Sequence, residues 1–252
     1  MLFVCDIGNS KIKSAFFKDE RISGLRIFDD IDSLLEFVSN KKISGAAVSS
    51  VVPDKLRSFQ KGFNSRFGYK PLIINKNVKF NLKIDYKTPG TLGIDRICSA
   101  EGAFYLYHLS YRAYNRAVII ISVDFGTATT INIIKYNGIF AGGLILPGVK
   151  MMFKSLKNET AQLPEVKPSE YLDVIGSSTK SSIASGVINA TVGAITQTIN
   201  YLRQNNKTDI KIFATGGNAG FILPYLKYEH VYEKGLVLYG IKSVYDNNLS
   251  TW

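Results

Sequence analysis

Apolar positions along this chain follow two patterns. Short unbroken apolar runs predict buried strands, and apolar residues spaced by three or four predict helices. Leu2–Cys5 and Ile12–Phe17 read as strands on either side of a tight turn. Ile31–Asn40 places Ile31, Leu34, Leu35 and Val38 at helical spacing, with Asp30 or Asp32 available as a cap. Gly45–Ser50 reads as a short buried strand, Pro53 can open a helix after the loop that begins at Ser49, and Pro71–Ile74 is a further strand. The first half therefore predicts strand, strand, strand, helix, strand, helix, strand. Tyr86–Gly93 is rich in turn residues, and a helix is expected from Asp95 to about Tyr111. Polar, basic sequence at Tyr111–Arg116 then separates the halves.

The second half repeats the beginning of the first. Ala117–Val123, Thr129–Tyr136 and Gly138–Leu146 predict three strands, with Asn137-Gly138 as a hairpin turn between the last two. A helix is expected from Pro147-Gly148 through Leu156, and Thr160–Pro168 reads as a loop with two prolines. Thr179–Asn205 predicts a long helix with small residues (Ala184, Gly186, Ala190, Gly193, Ala194) on its packing faces. Ile210–Ala214 is a strand that runs into Thr215-Gly216-Gly217-Asn218-Ala219, and a last helix spans about Gly235 to Tyr245. The alternation of strands and helices predicts an α/β fold in two halves, 1–114 and 115–252.

Both halves carry the same turn. The first strand ends in Asp6-Ile7-Gly8-Asn9-Ser10, and the strand at 117–123 ends in Asp124-Phe125-Gly126-Thr127-Ala128-Thr129-Thr130. Glycine lets the backbone approach a phosphate closely. The aspartate can hold a cation beside that phosphate. Asn9, Ser10, Thr127, Thr129 and Thr130 can hydrogen-bond anionic oxygens. One Asp-x-Gly turn is common in plain loops. Two in matching context point to one phosphate-handling module used twice.

Composition narrows the function classes. The chain has 252 residues, of which 46% are hydrophobic, and the net charge is +11. A membrane span needs about 20 consecutive apolar residues, and no run approaches that. Asp6 interrupts the N-terminal apolar run too early for a signal peptide. Cys5 and Cys98 give neither a disulfide framework nor metal-ligand spacing, and both read as small buried hydrophobes. These features predict a reduced, cytoplasmic protein. The basic residues are scattered, with no Arg-rich arm and no nucleic-acid motif. They argue for a solvated surface with a field that favours an anionic substrate, and against nucleic acid. His108 and His230 have no partners at metal spacing. Neither a P-loop nor a Gly-x-Ser-x-Gly elbow is present.

Three further constellations bear on chemistry. Gly93-Ile94-Asp95-Arg96 places an acid and a base at a helix start. This is either an N-cap aspartate beside an exposed arginine, or a proton-accepting carboxylate beside a phosphate-binding guanidinium. Gly142-Gly143-Leu144-Ile145-Leu146-Pro147-Gly148 is either a hairpin exit or a close backbone approach to a ligand. Thr215-Gly216-Gly217 has the form of a nucleotide contact at a helix N-terminus.

In order along the chain, these motifs resemble type III pantothenate kinases. The resemblance covers nearly the whole sequence. It is carried by Asp6-Ile7-Gly8-Asn9-Ser10, by Tyr86 with Pro89-x-x-Leu92-Gly93-Ile94-Asp95-Arg96, and by Asp124 through Thr130. Gly142-Gly143-x-Ile145-x-Pro147-Gly148, Thr160-Ala161-Gln162-Leu163-Pro164, and Ser178-Thr179 with Ser185-Gly186 follow in the expected places. The departures are Ser10 and Thr88, where the family usually has Thr and often Asn.

The resemblance implies a duplicated ribonuclease H-like fold of the actin-like ATPase and acetate/sugar kinase group, with two similar halves around a central cleft. It implies ATP-dependent phosphorylation of pantothenate to 4′-phosphopantothenate, the first step toward coenzyme A. It further implies Mg2+ or another divalent ion, a monovalent cation (K+ or NH4+), and a homodimer with the pantothenate pocket at the interface. By position, Asp95 is then the general base and Arg96 stabilises charge on the transferred phosphate. Asp6 holds Mg2+, while Gly8, Asn9, Ser10, Lys11, Gly126, Thr127, Gly216 and Gly217 line the nucleotide phosphates. Asp124 helps bind the monovalent cation. Tyr86, Gly93, Ile94, Asp95, Arg96 and Thr179 contact pantothenate. The helix Thr179–Asn205 is a candidate dimer contact, although a buried core helix would read the same way. The alternatives are a non-catalytic regulator of transcription on the same fold, or a kinase of another small hydroxylated substrate.

Overall fold

The computed structural model describes residues 1–110, 118–167, 174–205 and 208–249. The separator expected at Tyr111–Arg116 and the boundary at 114/115 lie outside the described residues, as do Ala117 and Pro168. The chain divides into two compact units. The first comprises Met1–Asn115, Asn137–Gly142 and Gly235–Trp252, and the second comprises Arg116–Tyr136 and Gly143–Lys234.

The first unit is built on a five-stranded sheet. In chain order the strands are β1 (Leu2–Ile7), β2 (Ile12–Lys18), β3 (Arg21–Phe28), β4 (Gly45–Ser50) and β5 (Leu72–Ile73). Their spatial order is β3-β2-β1-β4-β5, with β1–β2 and β2–β3 antiparallel and β1–β4 and β4–β5 parallel. The central strand is apolar on both faces because helices cover both. Phe3, Cys5 and Ile7 pack with Leu34, Leu35, Phe59 and Phe63 of helices α1 (Ile31–Ser39) and α2 (Pro53–Phe67). Val4, Ala15 and Ala47 pack on the other face with Cys98 of α3 (Ile94–Ser110) and Val237, Leu238 and Ile241 of α7 (Leu236–Leu249). Asp30 is the cap of α1, and its Oδ1 accepts from Ser33 N at 2.8 Å.

The second unit repeats this order. Its strands are β7 (Val118–Phe125), β8 (Ala128–Lys135), β9 (Ile139–Pro147), β10 (Asp209–Thr215) and β11 (Val231–Tyr232), arranged β9-β8-β7-β10-β11. As in the first sheet, the central hairpin β7–β8 is antiparallel and the β7–β10 and β10–β11 pairs are parallel. The core on one face comes from α4 (Val149–Asn158) and the long α5 (Thr179–Asn205), through Val149, Phe153, Ile183, Val187, Ile188, Ile195 and Ile199. Two sheets with the same strand order make this α/β protein a duplicated ribonuclease H-like fold.

Short elements escaped the sequence pattern. β6 (Lys83–Ile84) pairs in parallel with Ile139 and Phe140, the first residues of β9, which belong to the first unit. Like β11 it has only two residues, too few to show a period. The helix expected after Gly217 is a single turn, α6 (Ala219–Ile222).

Candidate active site

In the first unit, β1 and β4 run parallel in a register that sets Asp6 beside Ser49. Ser49 Oγ donates to Asp6 Oδ1 at 2.5 Å, which orients the carboxylate at the strand end. Beyond it, Gly8 N donates to Lys11 O at 3.1 Å and closes the turn. Asn9, Ser10 and Lys11 are exposed there. Lys11 pairs with Asp29, and Lys55 of α2 donates from Nζ to Asn9 O at 3.0 Å.

Helix α3 belongs to the same unit. Gly93 O accepts from Ile97 N at 3.3 Å, and Asp95 Oδ1 accepts from Arg96 N at 2.9 Å. A Cβ at Gly93 would run into Asp95 Oδ1, so only glycine leaves the carboxylate room to fold back over the helix start. Arg96 is not an exposed side chain but is 5% accessible. Its guanidinium carbon lies 5.9 Å from the centre of the Tyr86 ring and 5.7 Å from that of Phe140. One turn further, Cys98 is fully buried, and burial pushes its thiol well up. Asp6, then Glu101, then Asp95 push it further in the same direction, while a hydrogen bond with Ser49 opposes them. Asp6 and Asp95 therefore both act electrostatically on one buried sulfur, within one unit. Ile94 and Tyr86 are both half-buried in the same unit.

The second unit's turn is held from two sides. Asp124 is beside Thr215 in the β7–β10 register, as Asp6 is beside Ser49. Thr215 Oγ1 itself donates to Lys234 O at 3.3 Å. Gly216 has φ +104°, and a Cβ there would collide with the Phe125 backbone and the Asp124 carboxylate. Asn218 Nδ2 donates to Phe125 O and Gly126 O, both at 3.1 Å, and Gly148 N donates to Thr127 O at 3.1 Å. Gly126 is half-buried, while Thr127 and Gly217 are exposed at this turn. Thr179 lies elsewhere in the same unit, at the start of α5. There it lines a groove of about 1110 Å³ with Met151 and Met152 of α4 and Ser182, Gly186 and Ala190 of α5.

The donor set suits magnesium better than a protein cage. Among the described residues no group of three or more His, Cys, Asp and Glu gathers to hold a metal. Mg2+ is commonly held by one or two carboxylates, with phosphate and water as its other ligands. A single braced carboxylate at Asp6 fits that pattern.

Sequence reasoning missed four side chains here: Ser49, Phe140, Glu101 and Asn218. Glu101 is fully buried and accepts from Leu82 N at 2.8 Å and Asn81 Nδ2 at 3.1 Å, which ties the approach to β6 onto α3. Of the four, only Asn218 had a local signal, directly after two glycines. The other three act through tertiary pairing.

Comparison with known proteins bears directly on this geometry. The family model of type III pantothenate kinases matches residues 2–201. The type III pantothenate kinase of Sulfurihydrogenibium sp. (strain YO3AOP1) is 31% identical over 96% of this chain and 98% of that protein. That of Finegoldia magna is 33% identical over 98% of each. Among solved structures, a Campylobacter jejuni protein assigned to the Baf family of transcriptional activators aligns with TM-score 0.60 at 24% identity, covering 98% of this chain and 99% of that one. A ROK family glucokinase from Streptomyces griseus aligns with TM-score 0.52 at 12% identity over 99% of each chain. These last two likenesses establish the fold alone. The family match and the full-length relatives establish more: the chain belongs to the type III pantothenate kinase family.

Proposed function

We propose that this chain transfers the terminal phosphoryl group of ATP to the hydroxyl of pantothenate, yielding 4′-phosphopantothenate and ADP at the start of coenzyme A biosynthesis. The observation that carries this reading is the family match over residues 2–201. The Asp6, Asp95–Arg96 and Asp124 constellations all stand in folded order within it.

The residue roles in this reading are those that the family resemblance assigns by position, and the chemistry of each group suits its role. The pantothenate hydroxyl oxygen attacks the terminal phosphorus, the bond to the ADP oxygen breaks, and Asp95 takes the hydroxyl proton. In a loose phosphoryl-transfer transition state the nucleophile needs positioning more than early deprotonation. An aspartate turned back at a helix start can supply both. Arg96 meets charge on the transferred group. By the family's pattern, Gly8, Asn9, Ser10, Lys11, Gly126, Thr127, Gly216 and Gly217 offer donors to the nucleotide phosphates. Asp6 holds the divalent ion, which when bound neutralises phosphate charge. Asp124, beside Gly126 and Gly216, helps hold a monovalent cation, K+ or NH4+. Tyr86, Gly93, Ile94 and Thr179 line the pantothenate site.

The active form in this reading is a homodimer with the pantothenate pocket at its interface. The support is the apolar groove between α4 and α5, where Thr179 sits. Met151 on its wall is 45% exposed, and Ile145 and Ile175, neighbours in sequence of its lining residues Pro147 and Gly176, are 63% and 84% exposed. Large exposed apolar patches on soluble proteins mark interaction surfaces. The enzyme works in the cytoplasm, a placement that its two free, buried cysteines suit.

The test is a coupled ADP-release assay with ATP, Mg2+ and pantothenate, with and without potassium. Pantothenate-dependent ADP is expected, and more of it with potassium. Absence of pantothenate-dependent ADP would overturn the assignment and favour a regulator on this fold.

A further inference from the structure

Among the described residues three charged side chains are buried: Arg96, Glu101 and Lys242. Glu101 is held by the hydrogen bonds of Leu82 and Asn81, and Lys242 by Asp246 and Glu20. Arg96 also sits in a corner of two aromatic rings. Phe140 is 0% exposed, and its ring meets that of Tyr86 edge-on, with centroids 6.2 Å apart and planes at 70°. Both ring centres lie within the range of about 6 Å at which a ring face attracts a guanidinium.

We infer that Phe140 is a positioning residue for phosphoryl transfer: with Tyr86 it forms an aromatic corner that fixes the orientation of the Arg96 guanidinium. The inference rests on the reading of Arg96 as the group that meets the transferred phosphate. Phe140 has no polar atom, so it can act only through a neighbour. A guanidinium is a planar fork whose value to an anion depends on its direction. Stabilisation of developing charge is greatest when the donor is already oriented before reaction.

Backbone pairing fixes the corner. Ile84 pairs with Phe140, and Asp85 N donates to Phe140 O at 3.0 Å. Tyr86 is the next residue, so β6 and the start of β9 deliver both rings together. Two residues beyond Phe140, a Cβ on Gly142 would sit 3.7 Å from the Tyr86 ring, which keeps the strand close behind it.

The test is a double-mutant cycle on the full-length enzyme, read by steady-state kinetics. Phe140→Leu and Phe140→Met remove the ring, and the second nearly conserves its volume. Phe140→Tyr keeps the ring. Phe140→Leu and Phe140→Met are expected to lower kcat about tenfold, or about 1.4 kcal/mol of barrier. KM for ATP should stay within about threefold, because a transition-state contact moves kcat and not ground-state binding. Phe140→Tyr should retain most of the activity. In an Arg96→Lys background, where the fork is gone, removing the ring should change kcat by less than about twofold, since coupled neighbours are not additive. Equal losses in both backgrounds would overturn the inference and make Phe140 plain core packing. Wild-type kcat in Phe140→Met would overturn it equally. If Phe140→Leu does not fold, Phe140→Met carries the cycle. A wild-type enzyme that releases no ADP with pantothenate removes the functional reading and this inference together. An active wild type with an additive cycle removes the inference alone.

Discussion

Asp95 and Cys98 lie one turn apart on α3, where the proposed general base and a buried thiol share one helix start. Asp95 is half-buried, with its carboxylate turned back onto the Arg96 N–H. General bases contribute roughly 10²–10⁴ in rate. Asp95→Asn keeps the shape and removes the base, so kcat is expected to fall about a hundredfold or more while ATP binding, measured by calorimetry, stays near wild type. Near-normal turnover would remove Asp95 from its role. Cys98 and Cys5 are the contrast. Burial, reinforced by the neighbouring Asp6 carboxylate, pushes both thiols well above their ordinary value. A raised thiol pKa means little thiolate, the reactive form. At pH 8 neither cysteine should react with an alkylating reagent in the native protein, and both should react in denaturant. Alkylation of the folded protein faster than it unfolds would contradict the burial argument.

At the scale of elements, α3 and α7 cross with backbone nearly against backbone. A Cβ on Gly102 would clash with Leu236 O, and one on Gly240 would clash with Cys98 O. Neither obstacle is a side chain that can swing away. Overpacking a well-filled core costs about 1–3 kcal/mol, so Gly240→Ala should lower stability by at least that much, as read from the denaturation midpoint. Unchanged stability would mean that the helices slide apart freely. Glu101, on the same helix, predicts a pH signature. Burial raises its carboxyl above its ordinary 4.5, outweighing the hydrogen bonds from Leu82 and Asn81 that lower it. The native state therefore holds this proton at pH values where the unfolded chain has released it. The contribution is fully present below 4.5 and is lost as pH rises through the higher native value. Glu101→Gln keeps an acceptor for Leu82 N and does not titrate. The melting temperature of the variant relative to wild type should climb as pH rises above 4.5, and a flat difference would contradict this account. These features also mark what the sequence could not show. The strands at 2–7 and 118–125 were legible because sheets covered on both faces need unbroken apolar runs. Gly102, Gly240 and Glu101 looked like ordinary helix residues, since their partners lie far away in the chain.

At the scale of the whole molecule, duplication was legible in the repeated strand pattern and most sharply at its turns. Asp6 and Asp124 are 118 positions apart, yet each ends the central strand of a sheet with the same strand order. Each also stands beside a hydroxyl residue, Ser49 or Thr215, on the neighbouring parallel strand. A hydroxyl side chain in a strand carries no sequence signal of that kind, because register is a property of the assembled sheet. The copies differ most in what covers them. α5 buries Ile183, Val187, Ile188, Ile195 and Ile199 in the second core but leaves Gly186, Ala190 and Gly193 exposed along another face. A Cβ at Gly186 or Gly193 would meet nothing within 4 Å. Core packing therefore explains one side of this helix and leaves the small residues on the other without a role in the single chain. A second copy docked along α4 and α5 would supply that role, because small residues permit close backbone approach. Ala190→Arg puts a long charged side chain on the exposed groove wall without touching the buried face. By light scattering the wild type should have twice the mass of the chain, and Ala190→Arg should shift toward the single chain with its helical content intact. KM for pantothenate should rise with that shift, because Thr179 lines the same groove. A dimer that survives Ala190→Arg with unchanged KM would place the interface elsewhere.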